Sequence, residues 1–100
     1  MTARSPARRR RVTFRLDAEP NREVYVAGSF NGWHPGDKRL KDRTGAGHYA
    51  ATVLLPPGRY EYKFIIDGRW CIDPSREDWV ANDVGSLNSV LTVEDRTRSK

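Results

Sequence analysis

One hundred residues suffice for a single domain with one core, and a lone cysteine, Cys71, excludes an internal disulfide. No apolar run approaches the ~20 residues needed to span a bilayer. The net charge of +5 arises from 18 Lys and Arg against 13 Asp and Glu; Arg4, Arg8, Arg9, Arg10 and Arg11 lie in an opening segment with no acid, so the rest of the chain is balanced.

Residues 1–11 read as a basic, disordered tail of Arg, Ser, Pro and Ala with nothing to bury. The tail lacks the apolar stretch of a secretory signal. It shares an Arg-rich, acid-free composition with transit peptides but runs directly into a strand, so the expected compartment is cytoplasmic, in keeping with the unpaired Cys71. From Val12 the pattern alternates: "RVTFRL" sets Val12, Phe14 and Leu16 on one face of a strand. "DAEPNRE" is a turn cluster, and "EVYVAGSF" a strand with Val24 and Val26 inward. "NGWHPGDKR" is a loop. Asn31-Gly32 is a hairpin signal, but Pro35 and Gly36 forbid a returning strand, so the turn throws the chain off the sheet and leaves Trp33 displayed.

"LKDRTGAG" reads as a weak edge strand, and "HYAATVLL" as a strand with Tyr49, Ala51, Val53 and Leu55 inward. After the hard turn "PPG", "RYEYKFII" sets Tyr60, Tyr62, Phe64 and Ile66 against Glu61, Lys63 and Ile65. Asp67-Gly68 is a tight hairpin turn from which "RWCID" returns. "PSREDWVANDVGSL" reads as a long irregular loop, "NSVLTVE" as the closing strand and residues 95–100 as a tail. About seven short antiparallel strands without helical periodicity predict an all-β, immunoglobulin-like sandwich over residues 12–94. Tyr60 at a strand head is placed to tie that strand end to backbone.

No catalytic constellation is visible. His34 and His48 stand apart from any ligand-spaced partner, there is no Gly-rich loop entering a helix, and no nucleophile elbow. Neither metal nor cofactor is expected. The acids Asp67, Asp73, Glu77, Asp78 and Asp83 read as turn and surface groups. Aromatic placement is more informative: Trp33, Trp70 and Trp79 all lie at or near turns rather than mid-strand. A displayed indole offers a flat apolar plate for the C–H face of a sugar, whose hydroxyls then need polar partners such as Lys63 and Asn88. The alternative for Trp33 and Trp70 is capping of the core ends; for Trp79, cover of the core edge beneath the long loop; for Asn88, satisfaction of local backbone groups.

The blocks "VYVAGSFNGW", "LPPGRYEYKFIIDGRWCIDP" and "NDVGSLNSVLTV" resemble the early-set glycogen-binding domains, carbohydrate-binding modules of family forty-eight, over about residues 12–94. The resemblance implies glucan stacking on Trp33 and Trp70 and hydroxyl contacts from Lys63. It also implies a last loop in which Val84 replaces a threading leucine, with Leu87 as a substitute, followed by Ser86 and Asn88. The function so implied is non-catalytic binding of α-glucan (glycogen, starch or maltooligosaccharides) by a stand-alone module. The rival is an interaction module that docks on a glucan-metabolising enzyme or kinase without binding sugar. Neither membrane nor nucleic acid is an expected partner, because only the Arg-rich tail carries excess charge.

Overall fold

The computed structural model describes residues 9–82 and 85–94. Eight strands follow in chain order: β1 (Arg10–Asp17), β2 (Val24–Gly28), β3 (Lys38–Asp42), β4 (His48–Leu55), β5 (Gly58–Ile66), β6 (Arg69–Cys71), β7 (Trp79–Ala81) and β8 (Leu87–Val93). A 3-10 turn, Ser29–Asn31, follows β2. All pairings are antiparallel, in the order β1-β4-β3-β2-β5-β8-β7, with β6 pairing the far end of β5. The sheet curls into a β-sandwich whose concave side is the core.

The predicted alternation supplies that core. Phe14 and Leu16, Val24 and Val26, Tyr49 and Leu55, Tyr62 and Phe64, and Leu91 and Val93 all point inward. Each such side chain contributes ~1.5–3 kcal/mol by leaving water. At the centre, Phe14 meets Tyr62 edge-on, with ring centroids 5.0 Å apart. Tyr62 donates its hydroxyl to Asp73 Oδ2 at 2.7 Å, and burial, followed by that carboxylate, pushes the phenol pKa upward. Asp73 is 4% exposed and also accepts from the Ser75 N–H and hydroxyl, so this acid is an interior tie and not a surface group. Tyr60 donates to the Pro56 carbonyl at 2.6 Å, as its place at the strand head predicts.

Further readings of the sequence are corrected. The segment read as a weak edge strand is β3, and β3 is internal. Lys38, Arg39 and Leu40 pair with β2, whereas Lys41 and Asp42 pair with β4. The strand therefore belongs to both halves of the sandwich, and Leu40 is 1% exposed at the seam. The long loop is not wholly irregular: Trp79–Ala81 adds β7 to β8. Trp79 stands on that edge strand 50% exposed and so does not close the core edge.

Candidate functional site

The hairpin turn at Asp67-Gly68 forms as predicted, with both residues at positive φ (49° and 85°), the geometry a two-residue hairpin favours. Asp67 is anchored outside its own hairpin. Its Oδ1 accepts the Glu23 N–H at 3.0 Å and its Oδ2 the Arg22 guanidinium at 2.9 Å, and these bonds hold its carboxyl below the usual range. The fixed hairpin aligns Trp70 opposite Ile65, and Ile65 opposite Tyr25, in one row on the outer face. Ile65 is 5% exposed although it points away from the core; its two flanking rings exclude water from it.

Trp33 reaches the same face by a different route. After the 3-10 turn, Gly32 (φ 66°) and Trp33 (φ 63°) are both left-handed, a conformation that costs a tryptophan about 1 kcal/mol. Asn31 holds the excursion. Its Oδ1 accepts the Gly28 N–H at 3.1 Å and its amide donates to the His34 carbonyl at 3.4 Å, while the Trp33 N–H donates to the Gly28 carbonyl at 2.9 Å. Gly28 itself has no space for a side chain: a Cβ there would overlap the Glu61 carbonyl oxygen and lie 2.6 Å from the Phe30 ring. Asn31-Gly32 is thus a device for turning an indole outward.

The result is a pair of indoles, Trp33 half-buried and Trp70 44% exposed, with ring centroids 6.5 Å apart and planes tilted by 41°. Lys63 lies on the same outward face of β5, two residues before Ile65, and its Nζ donates to Ser86 Oγ at 2.6 Å. Asn88 is 6% exposed; its amide donates to Glu61 Oε1 at 2.9 Å and its Oδ1 accepts from the Asn82 amide at 3.2 Å. Asn82 Oδ1 in turn accepts the Ser86 N–H at 3.0 Å. These bonds form one polar chain, Glu61–Asn88–Asn82–Ser86–Lys63, that fixes the last loop against β5. Glu61 and Asn82 are members that sequence reasoning missed. The only signal for Glu61 was its period-two spacing from Lys63, and Asn82 had none beyond its place in the loop.

Among the expected sugar-binding residues, then, the structure brings Trp33 and Trp70 together, joins Lys63 to Ser86, and holds Asn88 in the network behind them. Val84 lies outside the described residues. Cys71 packs at the core margin, where desolvation raises its thiol pKa. Among the described residues no group of three or more His, Cys, Asp or Glu could hold a metal, and no helix is long and apolar enough to cross a membrane.

Fold and site together define a recognition β-sandwich, with its aromatic pair displayed on a sheet face. Comparison with known proteins narrows the class. A model of the family described as the glycogen recognition site of AMP-activated protein kinase matches residues 11–99. The 5'-AMP-activated protein kinase subunit beta-1 of Rattus norvegicus is 35% identical over 91 residues, which is 91% of this chain and 32% of that subunit. Subunit beta-2 of Mus musculus is 35% identical over 89 residues, covering 89% of this chain and 31% of the subunit. The chain therefore spans about a third of the length of these relatives. A crystal structure of a maltogenic amylase from S. marinus shares the fold over 92% of this chain and 15% of its own, with a TM-score of 0.73 at 22% identity. The chain belongs to the glycogen-recognition family, a family of carbohydrate-binding modules, as the three sequence blocks imply.

Proposed function

We propose that the chain is a non-catalytic α-glucan-binding module. The observation that carries this reading is the tilted Trp33–Trp70 pair. Successive glucose units of an α-1,4 chain turn relative to one another, so two inclined plates suit two adjacent rings. A flat β-1,4 ribbon calls for coplanar plates. Lys63 and Ser86 stand ready to exchange their mutual hydrogen bond for sugar hydroxyls, and buried Asn88 steadies Ser86 from behind through Asn82. A shallow site of this kind binds one chain end modestly and gains from the many ends of a branched particle.

The family membership supports glycogen or starch as the polymer. The kinase-subunit relatives support a larger assembly, with a kinase or a glucan-metabolising enzyme as partner. The lone Cys71 fits a cytoplasmic setting.

The test is electrophoresis in a native gel containing glycogen, together with titration by maltooligosaccharides followed through tryptophan fluorescence. The parent chain is retarded and its fluorescence saturates, whereas a cello-oligosaccharide of equal length changes neither. Trp33→Ala and Trp70→Ala migrate as they do without glycogen. If both variants are retarded like the parent, the tryptophan pair is not the site.

A further inference from the structure

The described fold is nearly neutral in sum but not in distribution. On the outward face of the other half of the sandwich, a groove of about 680 Å³ runs along β1, β4 and β3. Its lining includes Arg15, Lys38, Arg39, Lys41 and Arg43 and contains neither Asp nor Glu. None of these five cations has an ion-pair partner among the described residues. The two acids on these strands are already engaged. Asp17 pairs with His48 at 2.9 Å. Asp42 accepts the N–H groups of Gly45 and Gly47 and the Thr44 hydroxyl inside its own hairpin.

The strand register gives this charge a shape. Arg15 and Lys41 both pair with Ala50, from opposite sides. Two long cations thus stand across a floor of one methyl group, about 10 Å apart at the backbone, which is two inter-strand spacings. Thr13 and Thr52, joined hydroxyl to hydroxyl at 3.0 Å, form the next row. The result is a notch walled by positive charge and floored by small and hydroxyl side chains.

We propose that this face is a docking surface for an acidic protein segment, an extended run of Asp and Glu side chains on a partner. Alternate side chains of an extended segment recur every ~7 Å, a spacing that lets one carboxylate enter the notch while its neighbours meet Arg43 and Arg39. Guanidinium groups favour carboxylates through paired hydrogen bonds. The lining has no Phe, Tyr or Trp, and its one ring, the His48 imidazole, is engaged by Asp17, so it offers no broad plate for a nucleobase or a sugar. The notch of Arg15, Ala50 and Lys41 lies on β1, β4 and β3, apart from the tryptophan pair, and only Arg39 at its margin reaches the tryptophan row, 6.0 Å from the Tyr25 ring centroid; this inference stands independently of the glucan reading.

The probe is a fluorescent ten-residue peptide of alternating Asp and Glu, followed by anisotropy and by chemical-shift mapping on the whole chain. Shifts concentrate at Arg15, Lys41, Ala50 and Thr52 and leave the Trp33 and Trp70 indoles unmoved. Arg15→Glu with Lys41→Glu weakens binding at least about tenfold, because like charges then face one another. Ala50→Leu keeps every charge but fills the notch, and it too weakens the peptide. A far-ultraviolet circular dichroism spectrum and a dispersed amide spectrum like the parent's show that both variants fold. The proposal is overturned if shifts spread over all basic residues, if Ala50→Leu binds like the parent, or if a DNA duplex competes more strongly than the peptide for the same residues.

Discussion

The two outward faces of this sandwich are built on opposite principles. The tryptophan face takes its indoles from turns: Trp33 follows a 3-10 turn in a left-handed backbone, and Trp70 follows a hairpin anchored from outside by Glu23 and Arg22. The basic face takes its side chains from the strands themselves, where ladder register alone places Arg15, Ala50 and Lys41 in a row. The first arrangement sets the angle and separation of two rings. The second sets only a density of charge and the shape of a floor. The difference teaches where each face is vulnerable: the first to any change in a loop's backbone, the second to changes in strand register, in the charges or in the size of Ala50.

The strongest way to break the comparison is to attack the glycines that let each face form. Gly28→Ala pushes a methyl into the Glu61 carbonyl beneath Trp33. Gly47→Ala pushes one into the Ala18 carbonyl at φ +92°, where the β3–β4 hairpin closes. Each should lose ~3 kcal/mol or more in urea denaturation. A loss below ~1 kcal/mol at either would mean that the backbone there shifts freely.

Next in size is Asn31→Ala, which removes the acceptor for the Gly28 N–H and the donor to the His34 carbonyl. Stability should fall by ~1 kcal/mol, and α-glucan affinity by about fivefold, although both indoles remain. Binding of the acidic peptide should stay unchanged. An Asn31→Ala chain that binds glucan like the parent would show that the tilt of the plates does not matter.

Salt sharpens the contrast without any mutation. Raising sodium chloride from about 0.05 to 0.5 M should weaken the acidic peptide severalfold while leaving maltooligosaccharide binding within about twofold, because only the first contact is between charges. Equal salt sensitivity of the two ligands would merge the faces into one site.

The smallest expected effect lies at the margin of the basic face. The hydrogen bond that the His48 ring donates to Asp17, and then the charge of that carboxylate, raise the His48 pKa above 6.5. A raised histidine contributes stability that is full below pH 6.5 and is lost as pH climbs through the raised value. A proton NMR titration should place the His48 midpoint above 6.5, and Asp17→Asn should bring it down. No change in that variant would leave the Asp17 pairing without an electrostatic role.

Much of this architecture was legible because burial writes itself into a strand as a period of two. Phe14 and Leu16, or Tyr62 and Phe64, reveal an inward face without knowledge of any neighbour. The position of β3 was not legible, because "KRLKD" has one apolar residue, Leu40, and its central place depends on partners distant in the chain. At three residues, β7 is too short to show a period. The tryptophan pair was legible from turn chemistry and from the family's sequence blocks. The Glu61–Asn88–Asn82 ties were not, since they require the registers of β5 and β7 against β8. The basic face was hidden for a related reason: a balanced sum of charges says nothing about which strands lie side by side.

β3 gives its first three residues to one half of the sandwich and its last two to the other. A strand shared in this way acts as a seam, because neither half can open without tearing hydrogen bonds that belong to the other. Amide protons along β3 should therefore exchange with solvent only in the global opening event, at the slowest rate in the molecule. The two faces stay folded, or come apart, together.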